Sequence, residues 1–300
     1  MTSERQSGLV LVSYGSQGVV EIDSGERINC QYRRSVGRPV CGDQVMIQTD
    51  AMGSGVVTAI EPRRNEFMRA NAKLQKQVIA ANLDQVLVVV APRPAPSRDL
   101  VERYLVAVHS LGIEPVIVLN KAELQDDSAS DPDSPLSRLD EYRELGYPVL
   151  QTSCKGPPGS ESIVPALQNR VSILVGQSGV GKSSLVNALL PDLELQTGAI
   201  SRVTGKGTHT TTTTIMYSLS CGGRLIDSPG VWEYGLWQMA QRDLAAGFQD
   251  FHPHDTQCRF NDCSHRTEPG CGVRAAVESG EIKPWRHASY LRLLEQNANS

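Results

Sequence analysis

No apolar run in this chain is long enough to cross a bilayer: the most apolar stretch, Val86-Leu87-Val88-Val89-Val90-Ala91, falls far short of the roughly 20 residues a membrane helix needs. The opening residues, Met1-Thr2-Ser3-Glu4-Arg5-Gln6, lack the apolar core of a secretory signal, so the expectation is a cytoplasmic protein with no membrane partner. A basic surplus is missing too. The net charge of −4 argues against bulk coating of nucleic acid, although a local basic patch can still face RNA. Aromatic residues are only 5%, which leaves little for stacking on bases. A disulfide framework is a poor explanation for seven cysteines, because the count is odd and three of them crowd beside His265, where metal binding fits a reducing compartment better. What the chain does have is 40% hydrophobic residues over 300 positions, enough for two or three ordinary globular domains.

Three segments follow. Residues 1–69 read as short strands at Leu9-Val10-Leu11-Val12, Gly18-Val19-Val20-Glu21-Ile22, Gln44-Val45-Met46-Ile47 and Gly55-Val56-Val57-Thr58-Ala59-Ile60, with Gly, Asp and Ser turns between them. So small an all-β module suggests a closed barrel, with the OB-fold the leading candidate. Arg33, Arg34, Arg63, Arg64, Arg69, Lys73 and Lys76 could contact RNA phosphates; equally, they could be a solvated face. Residues 70–250 alternate strand and helix signals: strands near 85–90, 115–119, 149–152 and 171–175, helices near 99–110, 136–145 and 182–190. That is the pattern of a parallel sheet covered by helices, which gathers its ligands at the carboxyl ends of the strands. Residues 251–300 hold too few apolar side chains for an unaided core and call for a staple.

The chemistry begins at Gly176-Gln177-Ser178-Gly179-Val180-Gly181-Lys182-Ser183-Ser184, between an apolar strand and a helical run. In that context glycines let backbone N–H groups wrap phosphates, Lys182 neutralises the β and γ oxygens, and the Ser183 hydroxyl ligates Mg²⁺. Asp227-Ser228-Pro229-Gly230 ends a strand downstream. Asp227 there is placed to hold Mg²⁺, and Gly230 to turn toward a γ-phosphate. Between them runs Gly205-Lys206-Gly207-Thr208-His209-Thr210-Thr211-Thr212-Thr213-Thr214. Its first threonines read as a switch with Thr211 the Mg²⁺ ligand and Thr210 next, its last as the start of a strand.

Asn120-Lys121-Ala122-Glu123 closes the strand at 115–119 and matches a guanine reader, N-K-x-D, in all but its last residue. A carboxylate there accepts from guanine N1–H and N2–H₂, which adenine does not present together, and Glu123 keeps both oxygens on an arm one methylene longer. Thr152-Ser153-Cys154-Lys155 resembles the loop that backs the base, with Cys154 standing for alanine. Beyond Gly230 stands Val231, where a water-orienting glutamine would be in a Ras-like enzyme, so intrinsic hydrolysis is expected to be slow and to await a partner. His209 is the nearest water-orienting candidate; a solvated loop histidine is the alternative. A P-loop kinase or ATPase would have no guanine reader, and an RNA-binding scaffold would have no use for Lys182, Ser183 and Asp227 together.

Cys258-x4-Cys263-x-His265-x5-Cys271 offers three thiolates and an imidazole, a complete tetrahedral set for one structural Zn²⁺ with no position open for catalysis. Around it Arg259, Arg266, Arg274, Lys283, Arg286 and Arg292 interleave with acids, and an amphipathic helix is expected over residues 285–296. The charged side of that tail is a candidate contact for RNA or a ribosomal protein.

Taken together the motifs resemble the ribosome small subunit-dependent GTPase A family, circularly permuted GTPases with an N-terminal OB domain and a C-terminal zinc domain. The base reader precedes the phosphate loop, and Asp227-Ser228-Pro229-Gly230 comes last. The resemblance implies a fold of three domains: an OB barrel (1–69), a permuted α/β P-loop GTPase domain (70–250) and a zinc-binding domain (251–300). It also implies a monomeric enzyme that hydrolyses GTP to GDP during late maturation of the small ribosomal subunit, contacts that subunit's rRNA and proteins, and uses His209 in catalysis. Two positions depart from the pattern. Glu123 replaces an aspartate, and Thr208 stands where a basic residue often precedes the histidine.

Overall fold

The computed structural model describes residues 5–50, 53–70, 76–127, 131–193, 214–228 and 239–298. Five strands come first: β1 (Arg5–Tyr14), β2 (Gln17–Ile22), β3 (Arg27–Tyr32), β4 (Gln44–Thr49) and β5 (Gly55–Ile60). They close in the order β1-β2-β3-β5-β4 and back to β1, with β3 and β5 parallel and every other pair antiparallel. This is an OB-type barrel, which removes sheet edges from a small module. Alternate residues point inward, so Val10, Val20, Ile28, Cys30, Val45, Ile47 and Val57 fill it. Strand β3 was not among the expected ones. Its apolar residues Ile28 and Cys30 alternate with Arg27, Asn29 and Gln31, a dilute signal that pairing with β2 and β5 overrides.

A hairpin follows, β6 (Glu66–Ala70) with β7 (Lys76–Ala81), and it too was unexpected. Its Ala81 N–H donates to the Cys41 carbonyl of the barrel (2.9 Å). Phe67, Ile79 and Ala80 are buried with Leu11 of the barrel and Val86 and Val88 of the next sheet.

That sheet holds β8 (Gln85–Val90), β9 (Glu114–Leu119), β10 (Val149–Gln151), β11 (Val171–Val175), β12 (Ile215–Ser218) and β13 (Arg224–Asp227), in the order β10-β9-β8-β11-β13-β12. All its pairs are parallel except β12 with β13. Strand β8 sits in the middle with every residue buried, as a parallel strand covered on both faces requires. Val86 and Val88 enter one core while Leu87 and Val89 enter the other, because side chains alternate across a strand. Edge strand β12 meets β1 at Ile215 opposite Val12, which joins barrel and sheet. The strand starts one residue beyond the threonine run, so Thr214 lies outside it, and the earlier threonines lie outside the described residues.

The helices among the described residues are α1 (Leu100–His109), α2 (Leu139–Glu144), α3 (Val164–Leu167), α4 (Lys182–Leu189), α5 (Gln241–Ala246), α6 (His252–Asp255), α7 (Gly272–Ser279) and α8 (Pro284–Ala298). The helix expected over 136–145 is split: the Ser134 hydroxyl caps the Leu136 N–H and starts a 3₁₀ turn, Pro135–Arg138, before α2 begins. No helix among the described residues is long and apolar enough to cross a membrane.

The tail packs its core against the sheet domain. Leu244, Phe248, Phe251, Val273, Tyr290 and Leu293 surround Val106 of α1. Two arginines expected on a charged outer face point the other way. Arg286 is 1% exposed, bound to Asp250 (2.7 Å) and laid over the Phe248 ring, while Arg292 forks onto Asp99 (2.8 and 2.6 Å). Burial of a guanidinium needs such partners, and both carboxylates come from outside the zinc loop.

Candidate nucleotide site and metal centre

The loop between β11 and α4 is shaped by three glycines with positive φ: Gly176 (142°), Gly179 (81°) and Gly181 (98°). At Gly176 a β-carbon would collide with the Val89 carbonyl, and at Gly181 with Asn120 Nδ2, so chain conformation and close approach both demand glycine. Lys182 opens α4 and folds its ammonium back onto the loop, donating to the carbonyls of Gly176 (2.6 Å) and Gln177 (2.9 Å). Burial drives its pKa down to about 8, with Asp227 pulling the other way. Burial raises the Asp227 pKa in turn, and Lys182 opposes it. Ser178, Ser183 and Ser184 are exposed along the loop and first helical turn, and Val180 is buried beneath. Asp227, at the end of β13, faces the same region. Next to it the Thr214 and Ser228 hydroxyls are hydrogen-bonded at 2.9 Å.

Asn120 and Lys121 arrive from the end of β9, which lies across β8 from β11. Asn120 is 2% exposed, and its Nδ2 donates to the Val180 carbonyl at 2.8 Å. Its Oδ1 is buried and has no hydrogen-bond partner among the described residues, an acceptor in need of a donor. Lys121 Nζ donates to the carbonyls of Gly179 and Arg93, each at 2.7 Å. Glu123 is exposed, with its Cβ near Gly156 and its charge raising the pKa of Cys154, second to burial. Ser153 Oγ accepts from the N–H groups of Lys155 and Gly156 (3.0 Å each), which shapes the loop after β10. The expected base-side and phosphate-side residues therefore lie along one edge of the sheet. His209, Thr211 and Gly230 lie outside the described residues.

Reading by side chain missed the loop after β8. The Arg93 carbonyl receives Lys121, and Pro94 packs beside Gly179. A backbone carbonyl leaves no trace in residue type, so no signal could have found it.

In the tail, the Sγ atoms of Cys258, Cys263 and Cys271 and a ring nitrogen of His265 all lie within 4.8 Å of one another. The separations are 3.9 Å for Cys258 to Cys271, 3.6 Å for Cys258 to His265 Nδ1 and 3.4 Å for His265 Nδ1 to Cys271. Bonds of about 2.3 Å to sulfur and 2.0 Å to nitrogen give a tetrahedron whose edges are roughly 3.5–3.8 Å. The donor set therefore fits one Zn²⁺. His265 takes a positive φ (57°) and stacks edge-on to Phe251, while Tyr290 Oη donates to the Ser264 carbonyl (3.0 Å). Glu268 was also missed. Its carboxylate accepts from the N–H groups of Ser264, Arg266 and Thr267 (2.8–3.0 Å) and braces the ligand loop.

Of the barrel's basic residues, Arg63 is committed to Asp43 and Glu66, and Arg64 to Asp84. Arg33 and Arg34 are exposed on the loop after β3.

A parallel sheet that brings a glycine-shaped phosphate loop against an earlier Asn-Lys reader, with an aspartate at the next strand end, defines a circularly permuted P-loop GTPase. The match of residues 60–237 to the family model described as RsgA GTPase agrees with this, and the chain belongs to that family. Among its relatives are the small ribosomal subunit biogenesis GTPase RsgA of Pseudomonas aeruginosa, 44% identical over 96% of this chain and 85% of the relative, and that of Chromohalobacter salexigens, 46% identical over 90% and 78%. Two solved structures are similar throughout: YjeQ from Thermotoga maritima (TM-score 0.78, 31% identity, 99% of this chain and 100% of that one) and YloQ, a circularly permuted GTPase (TM-score 0.78, 27% identity, 99% and 96%).

Proposed function

We propose that this GTPase acts on the small ribosomal subunit late in its maturation, hydrolysing GTP slowly alone and faster when bound there. The observation that carries the reading is the contact of Asn120 with Val180, which joins a base-reading strand end to the phosphate loop in a chain whose relatives are named for small-subunit biogenesis. Residues 176–184 would cradle the phosphates, and Lys182 would leave the Gly176 and Gln177 carbonyls for the β and γ oxygens. Asn120, Lys121, Glu123, Ser153 and Cys154 would form the guanine side. Ser183, Asp227 and Thr211 are the proposed Mg²⁺ ligands; the ion, when bound, would supply positive charge to offset that developing on the phosphate oxygens. His209 would orient the attacking water, and Gly230 would sense the γ-phosphate.

The remaining parts serve placement. One Zn²⁺ held by Cys258, Cys263, His265 and Cys271 would fix the tail, and Arg33 and Arg34 of the barrel would meet rRNA phosphates. The three-domain division at residues 69 and 250, a cytoplasmic location and a monomeric state belong to the same reading. Co-sedimentation with small ribosomal subunits tests it: the protein should pellet with them in a non-hydrolysable GTP analogue and less so in GDP. Failure to pellet in either nucleotide would refute the assignment.

A further inference from the structure

Asp99 occupies the position before α1 where a carboxylate ordinarily accepts from the first N–H groups of the helix. It does not do so. No cap bond is made, and the carboxylate instead takes a two-pronged pair from Arg292 of α8, at 2.8 and 2.6 Å, with Asp99 only 6% exposed. Asp99 also ends the loop that leaves β8, and that loop touches the nucleotide site: the Arg93 carbonyl accepts from Lys121 at 2.7 Å, and Pro94 lies against Gly179. Lys121 in turn donates to the Gly179 carbonyl. One end of the loop is therefore held by the zinc-bearing tail and the other by the base reader and phosphate loop. Five residues along α8, Asn297 clamps both the N–H and the carbonyl of Met239 (2.9 and 2.7 Å), so this end of the helix is itself firmly seated.

From this chain of contacts we infer that Arg292 is a positioning residue for guanine nucleotide: its pair with Asp99 fixes the loop over residues 91–99 and thereby the placement of Lys121 and Gly179. The inference rests on the nucleotide reading above. It makes the tail a contributor to nucleotide affinity through a route that does not pass through Asp227. A planar, bidentate guanidinium–carboxylate pair is suited to this because it fixes angle as well as distance, which a lysine cannot do.

The test is titration of a fluorescent GDP into the full-length protein, with zinc content and thermal unfolding measured on every variant. Arg292→Ala and Asp99→Asn, the latter keeping the side chain's size while removing its charge, should each weaken GDP binding by roughly threefold to thirtyfold, the range of coupling between contacting residues. The double variant should be no weaker than either single one, and Arg292→Lys should restore only part of the loss. In turnover, the KM for GTP should rise with kcat retained, which loss of general stability would not produce. Arg103→Ala, which removes only the neighbouring contact to Gln296, should bind as the wild type does. Unchanged GDP affinity in both single variants, additive losses in the double variant, or an equal loss in Arg103→Ala would overturn the inference. A wild-type protein that binds no GDP would overturn the nucleotide reading with it.

Discussion

Asn120 Nδ2 donates to the Val180 carbonyl at 2.8 Å, and that single bond joins the end of β9 to a phosphate loop 60 residues further along the chain. In the permuted order the base reader is made first. Because both lie at carboxyl ends of parallel strands in one sheet, with β8 between them, sequence order does not matter to the site. Gly181 permits the approach, since a β-carbon there would strike Asn120. Gly181→Ala should therefore separate reader from loop and strain a residue at φ 98°, a backbone cost of about 1–3 kcal/mol. We expect GDP affinity to fall at least tenfold in a fluorescent titration, while zinc content stays at one per chain.

Lys182 gives a pH dependence whose sign can be worked out. Its pKa in the folded protein is lowered to about 8, largely by burial. Phosphate binding needs the charged form, so affinity is full below pH 8 and binding takes up a proton above it. The GDP dissociation constant should be flat from pH 6.5 to 7.5 and climb above pH 8, approaching tenfold per pH unit, the limit for one coupled proton. A flat profile to pH 9.5 would remove Lys182 from the phosphate contacts. Lys182→Ala should abolish measurable turnover.

Arg286 is buried with Asp250 bound and Glu102 at 3.9 Å, between the tail and α1. Asp250→Ala leaves that guanidinium without its main partner, and breaking such a pair costs about 3–5 kcal/mol. Urea unfolding should show a loss of this size. Replacing the half-buried Arg274, paired loosely with the exposed Glu278 (3.9 Å), should cost less than about 1 kcal/mol.

Much of the site was legible because its chemistry leaves no substitutes. A loop that turns through positive φ three times requires glycines, and a tetrahedral thiolate set requires cysteines at close spacing. The barrel was visible as short strands, although β3 was hidden by its polar alternation. The roles of Arg286 and Arg292 were not legible. Both read as charged surface, and their partners lie 36 and 193 residues away, a tertiary fact that helical periodicity does not encode. The loop after β8 acts through a carbonyl, which every residue has. His209, Thr211 and Gly230, to which the sequence assigns roles, lie outside the described residues.

Removal of zinc should disorganise the tail and leave the barrel intact. The free energy of a structural zinc is largely folding free energy, and here the ligand loop is braced by Glu268 and Tyr290. Metal analysis should find one zinc per chain, and Cys271→Ser should lose it. Hydrogen exchange should then rise across α7 and α8 and remain slow in β1 to β5. Fast exchange in the barrel as well would show that the tail supports the whole chain.

Glu123 tests the base reading. Glu123→Ala should reduce the preference for GTP over ATP by at least tenfold, because a site built to pair polar groups discriminates through them. Unaltered discrimination in competition titrations would place guanine recognition elsewhere.

The most direct measurement is steady-state turnover of GTP and ATP, each with and without purified small ribosomal subunits. Slow GTP hydrolysis is predicted for the protein alone, with acceleration by the subunits of the order seen when a partner completes a GTPase site, roughly 10³- to 10⁵-fold, and no comparable ATP turnover. Equal hydrolysis of the two nucleotides, or GTP turnover that the subunits leave unchanged, would contradict it.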